Sequence, residues 1–128
     1  MRIADTSFLY ALFSETDEHH TKAVAEAGKI HALSIPPEIL SETVSLIHRK
    51  QGFQAAMLAG EWIRSQAGIE ICAAPRPIIE NTWKIFAAGN GRLSYPDSAV
   101  IAHCRDLNGR LLTFDETILD FIGRRPKT

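Results

Sequence analysis

Apolar residues along the chain fall into short runs separated by longer amphipathic stretches. Residues 2–4 read as a brief strand, and residues 6–14 as a helix with Phe8, Leu9, Leu12 and Phe13 on one face. Residues 17–28 predict a polar, alanine-containing helix, acidic at its start and closed near Gly28. A second strand is expected over residues 30–35. Pro36-Pro37 open the next helix, because proline suits a first turn, and Ile39, Leu40, Thr43, Leu46 and Ile47 form its apolar stripe. Gly52 interrupts the pattern before a helix over residues 53–66 that carries Met57, Leu58, Trp62 and Ile63. A third strand at residues 69–74, a helix at 78–88, a loop at Gly89-Asn90-Gly91 and a helix from near Pro96 to Asn108 follow. Residues 110–114 (RLLTF) predict a fourth strand, succeeded directly by Asp115, a short helix and a basic tail over residues 122–128.

Strands alternating with helices predict an α/β fold: one domain spanning residues 1–128, with a mainly parallel sheet of four to five strands flanked by helices. In such sheets the ligand crevice lies beyond the carboxyl ends of the strands. Asp5 and Asp115 each sit at such an end.

Composition narrows the picture. A chain of 128 residues with 45% hydrophobic content suits a single core that needs no disulfide. Cys72 and Cys104 lie in apolar surroundings and read as buried free thiols of a reducing cytosol. Asp5 interrupts the opening apolar run, so no signal peptide is expected. No stretch approaches the roughly 20 apolar residues of a membrane span. These features point to a cytoplasmic protein. The net charge of −1 is not that of a non-specific nucleic-acid binder. A nucleic-acid role therefore needs segregated charge. His48-Arg49-Lys50 and Arg124-Arg125-Pro126-Lys127 are either basic patches for that purpose or solvated surface.

Four carboxylates carry the candidate chemistry. Asp5 and Asp115 each suit a helix N-cap. Asp97, three residues after Ser94, fits a capping box and the positive end of a helix dipole. Glu42 is mid-helix, so capping does not account for it. It borders the apolar stripe near Ile39 and Leu46, has no basic partner at i+4, and has Glu38 four residues before it. If the four converge, their mutual repulsion favours a bound cation, and oxygen-only ligands suit Mg²⁺ or Mn²⁺ rather than zinc. The five histidines form no competing cluster by spacing. A divalent ion held by carboxylates serves phosphoryl chemistry. A receiver-like or haloacid-dehalogenase-like phosphotransfer domain needs paired acids at the first strand, and Asp5-Thr6-Ser7 lacks the second.

The ordered set Ile3-Ala4-Asp5-Thr6-Ser7, Glu38-Ile39-Leu40-Ser41-Glu42, Leu93-Ser94-Tyr95-Pro96-Asp97-Ser98-Ala99 and Leu112-Thr113-Phe114-Asp115 resembles the PIN domain, particularly the VapC-type toxins of toxin–antitoxin modules. The resemblance covers nearly the whole chain. It implies a metal-dependent endoribonuclease using Mg²⁺ or Mn²⁺, with Asp5, Glu42, Asp97 and Asp115 as catalytic and metal-binding residues and Thr6 and Thr113 in support. It further implies an RNA substrate, a cognate antitoxin and a homodimer. Tyr10, Phe13, Phe53, Met57 and Trp62 are candidates for an exposed apolar groove that receives the antitoxin. The alternative is a non-catalytic PIN-like module that binds RNA or protein.

Overall fold

The computed structural model describes residues 1–123. In chain order the elements are β1 (Arg2–Ala4), α1 (Thr6–Phe13), α2 (His20–Ala27), β2 (Leu33–Ile35), α3 (Pro37–Gln51), α4 (Phe53–Ser65), β3 (Ile69–Ile71), α5 (Arg76–Gly89), α6 (Tyr95–Asp106), β4 (Arg110–Leu112) and α7 (Glu116–Phe121). The four strands form one sheet in the order β3-β2-β1-β4, and every pairing is parallel. The fold is a single α/β unit in which the sheet is all-parallel and four-stranded rather than mainly parallel with room for a fifth.

Burial explains the pattern. Leu33, Ser34 and Ile35 are all buried, as expected of an inner strand covered on both faces. Ile3 and Ala4 of β1 pack with Phe8 and Leu9 of α1, Ile39 of α3, and Val100 and Ile101 of α6. Helix α6 is buried continuously from Ser98 to His103, which is why its sequence shows no single apolar stripe. A smaller cluster of Ile47, Ala56 and Ala59 joins α3 to α4, with Tyr10 and Phe13 of α1 against it. Gly52 separates these two helices at φ 99°, a left-handed conformation that favours glycine.

Several boundaries differ from the sequence expectation for identifiable reasons. Helix α2 begins at His20 rather than residue 17, because the Asp17 side chain accepts a bond from the His19 N–H and holds a turn there. Strand β4 stops at Leu112, because beyond it the Thr113 hydroxyl donates to Asp5 and the Phe114 N–H donates to the Ser7 hydroxyl instead of to a neighbouring strand. Strands β2 and β3 keep only three residues each. Cys72 and Cys104 are free, but half-buried rather than fully enclosed. The basic segment at residues 124–127 lies outside the described residues. Among the described residues, no helix is long and apolar enough to cross a membrane.

Leaving β1, the chain builds β2 and β3 on one side, whereas β4 adds on the other. The carboxyl ends of β1 and β4 thus flank the topological switch point, where parallel sheets open a crevice.

Candidate active site

Asp5 follows β1 and is 3% exposed. It caps α1: Oδ1 accepts from the Phe8 N–H at 3.0 Å and from the Ser7 hydroxyl at 2.8 Å. Oδ2 accepts from the Thr113 hydroxyl. Burial pushes the Asp5 carboxyl up to about 6, against the pull of the Thr113, Phe8 and Ser7 hydrogen bonds, and the charge of Asp115 adds to the rise.

A mesh of hydroxyls ties this carboxylate to the end of β4. Thr113 donates to Asp5 while accepting from the Asp115 N–H at 2.9 Å. Ser7 donates to Asp5 while accepting from the Phe114 N–H at 2.8 Å. Asp115 caps α7, its Oδ1 accepting from the Ile118 N–H at 3.1 Å. Because Thr113 serves both strand ends, Thr113→Val should cost about 1–3 kcal/mol, the usual range for leaving a buried acceptor without its donor. Thr113→Ser should cost far less. Urea denaturation of the two variants checks this.

Asp97 and Glu42 arrive from helices. Asp97 forms the capping box of α6: Oδ2 accepts from the Ser94 N–H and the Asp97 N–H donates to Ser94 Oγ, each at 3.1 Å. Burial raises its pKa, the Ser94 bonds oppose this, and Asp115 again adds. Glu42, midway along α3, receives the Thr6 hydroxyl on Oε1. Asp5, Glu42, Asp97 and Asp115 line one cavity of about 440 Å³, together with Thr6 and Arg49.

Capping does not exhaust these groups. Asp97 Oδ1, Asp115 Oδ2 and Glu42 Oε2 have no hydrogen-bond partner among the described residues. Three of the four acids stand at helix N-termini, whose unpaired N–H groups favour negative charge: Asp5 and Asp115 as the N-caps of α1 and α7, and Asp97 in the first turn of α6. An all-oxygen donor set with a buried carboxylate whose pKa is raised suits a hard divalent cation in chemistry and charge. Among the described residues, no three His, Cys, Asp or Glu side chains stand grouped as ready ligands, so binding an ion requires the acids to draw closer.

Glu38, one turn before Glu42, is directed elsewhere: its Oε1 lies 3.8 Å from Nε2 of buried His103 on α6, beyond hydrogen-bond reach, and neither buried atom has a hydrogen-bond partner among the described residues. Burial lowers the His103 pKa. Ser7 was not singled out from sequence, although its place two residues after a capping acid is a usable signal for a hydroxyl turn. Arg49 is exposed at the cavity and makes no salt bridge among the described residues. Its neighbours in the basic patch are engaged otherwise, Lys50 over the Tyr10 ring and His48 edge-on to Phe53. The aromatic candidates divide: Phe53, Met57 and Trp62 are exposed, whereas Tyr10 and Phe13 are half-buried, Phe13 against the edge of Trp62.

A family profile described as "PIN domain" matches residues 2–122. No curated protein matches the chain by sequence. Among solved structures, VapC20 of Mycobacterium tuberculosis, described as a sarcin–ricin loop cleaving toxin, superposes with a TM-score of 0.85 at 25% identity, covering 94% of this chain and 95% of that one. VapBC2 of Rickettsia felis, solved bound to a promoter DNA fragment, gives 0.69 at 12% identity over 98% and 92% of the two chains. PAE2754 of Pyrobaculum aerophilum gives 0.66 at 18% identity over 93% and 82%. The last two likenesses concern the fold alone.

Proposed function

This chain belongs to the PIN-domain family, and from that premise we propose that it is a metal-dependent endoribonuclease, the toxin of a toxin–antitoxin pair, acting in the cytoplasm as one domain over residues 1–128. The observation that carries the proposal is the single cavity at the β1/β4 switch point, lined by Asp5, Glu42, Asp97 and Asp115.

Asp5 and Asp97 are the principal ligands for Mg²⁺ or Mn²⁺, with Glu42 and Asp115 completing the set. When bound, a divalent ion supplies Lewis acidity toward a phosphate oxygen and acidifies water. The protein's own groups provide the rest. Thr113 and Ser7 fix the Asp5 carboxylate, and Thr6 fixes one oxygen of Glu42, leaving the other to accept a proton from the attacking water. The exposed guanidinium of Arg49 meets an RNA phosphate at the cavity rim.

The chain's partners on this reading are RNA, a homodimeric second copy and a cognate antitoxin that covers Phe53, Met57 and Trp62. An antitoxin arginine entering the acidic cavity would stand in for the cation's charge.

The full chain, freed of antitoxin, is expected to cut RNA with Mg²⁺ or Mn²⁺, to stop in EDTA, and to recover when the metal is restored. A sarcin–ricin hairpin is a rational first substrate, given what VapC20 is described as cleaving. Undiminished cleavage in EDTA rejects the metal role. RNA binding without cleavage at saturating Mn²⁺ favours the non-catalytic binding module.

A further inference from the structure

Beside the acidic cavity lies a second hollow of about 300 Å³, between the start of α2 and the exposed edge of β4. Its distinguishing feature is a series of stacked rings. Phe8 is 2% exposed and stacks on Phe114 with centroids 5.9 Å apart and planes 22° apart. Phe114, half-buried, stacks on His19 at 4.4 Å and 7°. The His19 side chain is 41% exposed. The rings therefore lead from the core to a flat, solvent-facing imidazole.

Resting on the nuclease reading, we propose that this imidazole is a stacking platform for an RNA base next to the scissile phosphodiester. Three observations support it. The hollow meets the acidic cavity across Thr113, which lines the first and donates to Asp5 in the second. Lys22 and Arg110 line the hollow but are matched there by Glu26 and Glu116. With cations and acids balanced, the ring face rather than net positive charge is what the hollow offers a nucleotide. The His19 side chain makes no capping bond to α2, and the Glu18 carboxylate 3.6 Å from its Nε2 belongs to a largely exposed side chain. A purely structural role does not require an imidazole there, whereas base stacking on an aromatic face is tolerant of sequence and suits single-stranded RNA.

The test uses the full chain without divalent metal, so that binding is read apart from cleavage. In NMR spectra with labelled histidine rings, titration with the dinucleotide ApA should shift the His19 ring resonances, and a base-free ribose–phosphate dimer should not. In fluorescence anisotropy with a labelled mixed-sequence 12-nucleotide RNA, His19→Ala should weaken binding about tenfold, within the range of a lost base–aromatic stack. His19→Phe, which keeps the flat ring, should stay within about twofold of the parent. The platform is overturned if ApA leaves His19 unmoved, if the base-free dimer shifts it equally, or if His19→Ala binds as tightly as the parent. Should ApA move His19 in a protein that cuts no RNA, base stacking on His19 stands, while the nuclease proposal and the platform's placement beside a scissile bond fail.

Discussion

Asp5→Asn is expected to abolish RNA cleavage while raising the melting temperature at neutral and alkaline pH. The Asp5 carboxyl is held at about 6 against an ordinary value of 3.8, chiefly by burial. Since the folded state grips this proton more tightly than the unfolded state, the contribution of this carboxyl to stability is most favourable below pH ~4 and declines as pH climbs to ~6, beyond which the whole cost of the buried charge is present. A shift of about two units corresponds to roughly 3 kcal/mol as an upper figure. Asparagine caps a helix about as well as aspartate, so the bond to the Phe8 N–H survives the exchange, and the bond to Thr113 reverses, the new amide N–H donating to the Thr113 hydroxyl oxygen in place of the Oδ2 that accepted from it. The variant should gain about 1–3 kcal/mol at pH 8, several degrees in melting temperature for a domain of this size, and converge on the parent near pH 4. Mn²⁺ should raise the parent's melting temperature above pH 6 and leave Asp5→Asn nearly unmoved. Thermal melts of both proteins from pH 4 to 8, with and without Mn²⁺, decide it. A variant less stable than the parent at pH 8, or a gap that ignores pH, contradicts this account.

A carboxylate kept where its charge is costly is the expected trade of stability for function, and it bears on how much of this protein was legible from its residues. Order and type of the elements followed from apolar periodicity, since each helix but α6 buries one face and the inner strands bury both. Strand ends were less legible. Thr113 and Phe114 have strand-like side chains, yet the Thr113 hydroxyl serves Asp5 and the Phe114 N–H serves Ser7 outside the sheet, a long-range demand that no local pattern encodes. Similarly, Glu38 and Glu42 share a helix flank in sequence, but packing sends Glu38 toward His103 and Glu42 into the cavity. The four acids were visible as candidates; that the caps at Asp97 and Asp115 leave a second oxygen free, while Thr113 takes the second oxygen of Asp5, required side-chain geometry. From sequence alone, Asp5, Asp97 and Asp115 are each explained by capping without any role in the cavity. The fold allows both, because a cap uses one carboxylate oxygen and fixes the direction of the other.

Asp97 offers the sharpest separation of these two roles. Its Oδ2 closes the capping box with Ser94, while Oδ1 has no partner among the described residues. Asp97→Asn retains an oxygen able to accept the Ser94 N–H and removes the charge. Asp97→Ala removes both. Cleavage should therefore fall equally in the two variants, by about 10²–10³-fold or more, the scale on which deleting a preorganised charge-stabilising group acts. Stability should not follow activity. Asp97→Ala should lose about 1 kcal/mol of capping energy, whereas Asp97→Asn should match or exceed the parent at pH 8, because burial and the nearby Asp115 raise the Asp97 pKa and make its charge unfavourable to folding. Mn²⁺ affinity by calorimetry should drop in both. If Asp97→Asn kept parental cleavage, the acid would be a cap and nothing more, and the metal would have to be held without α6. If instead asparagine and alanine destabilised the fold equally, the bond to Ser94 would not be what orders this helix start.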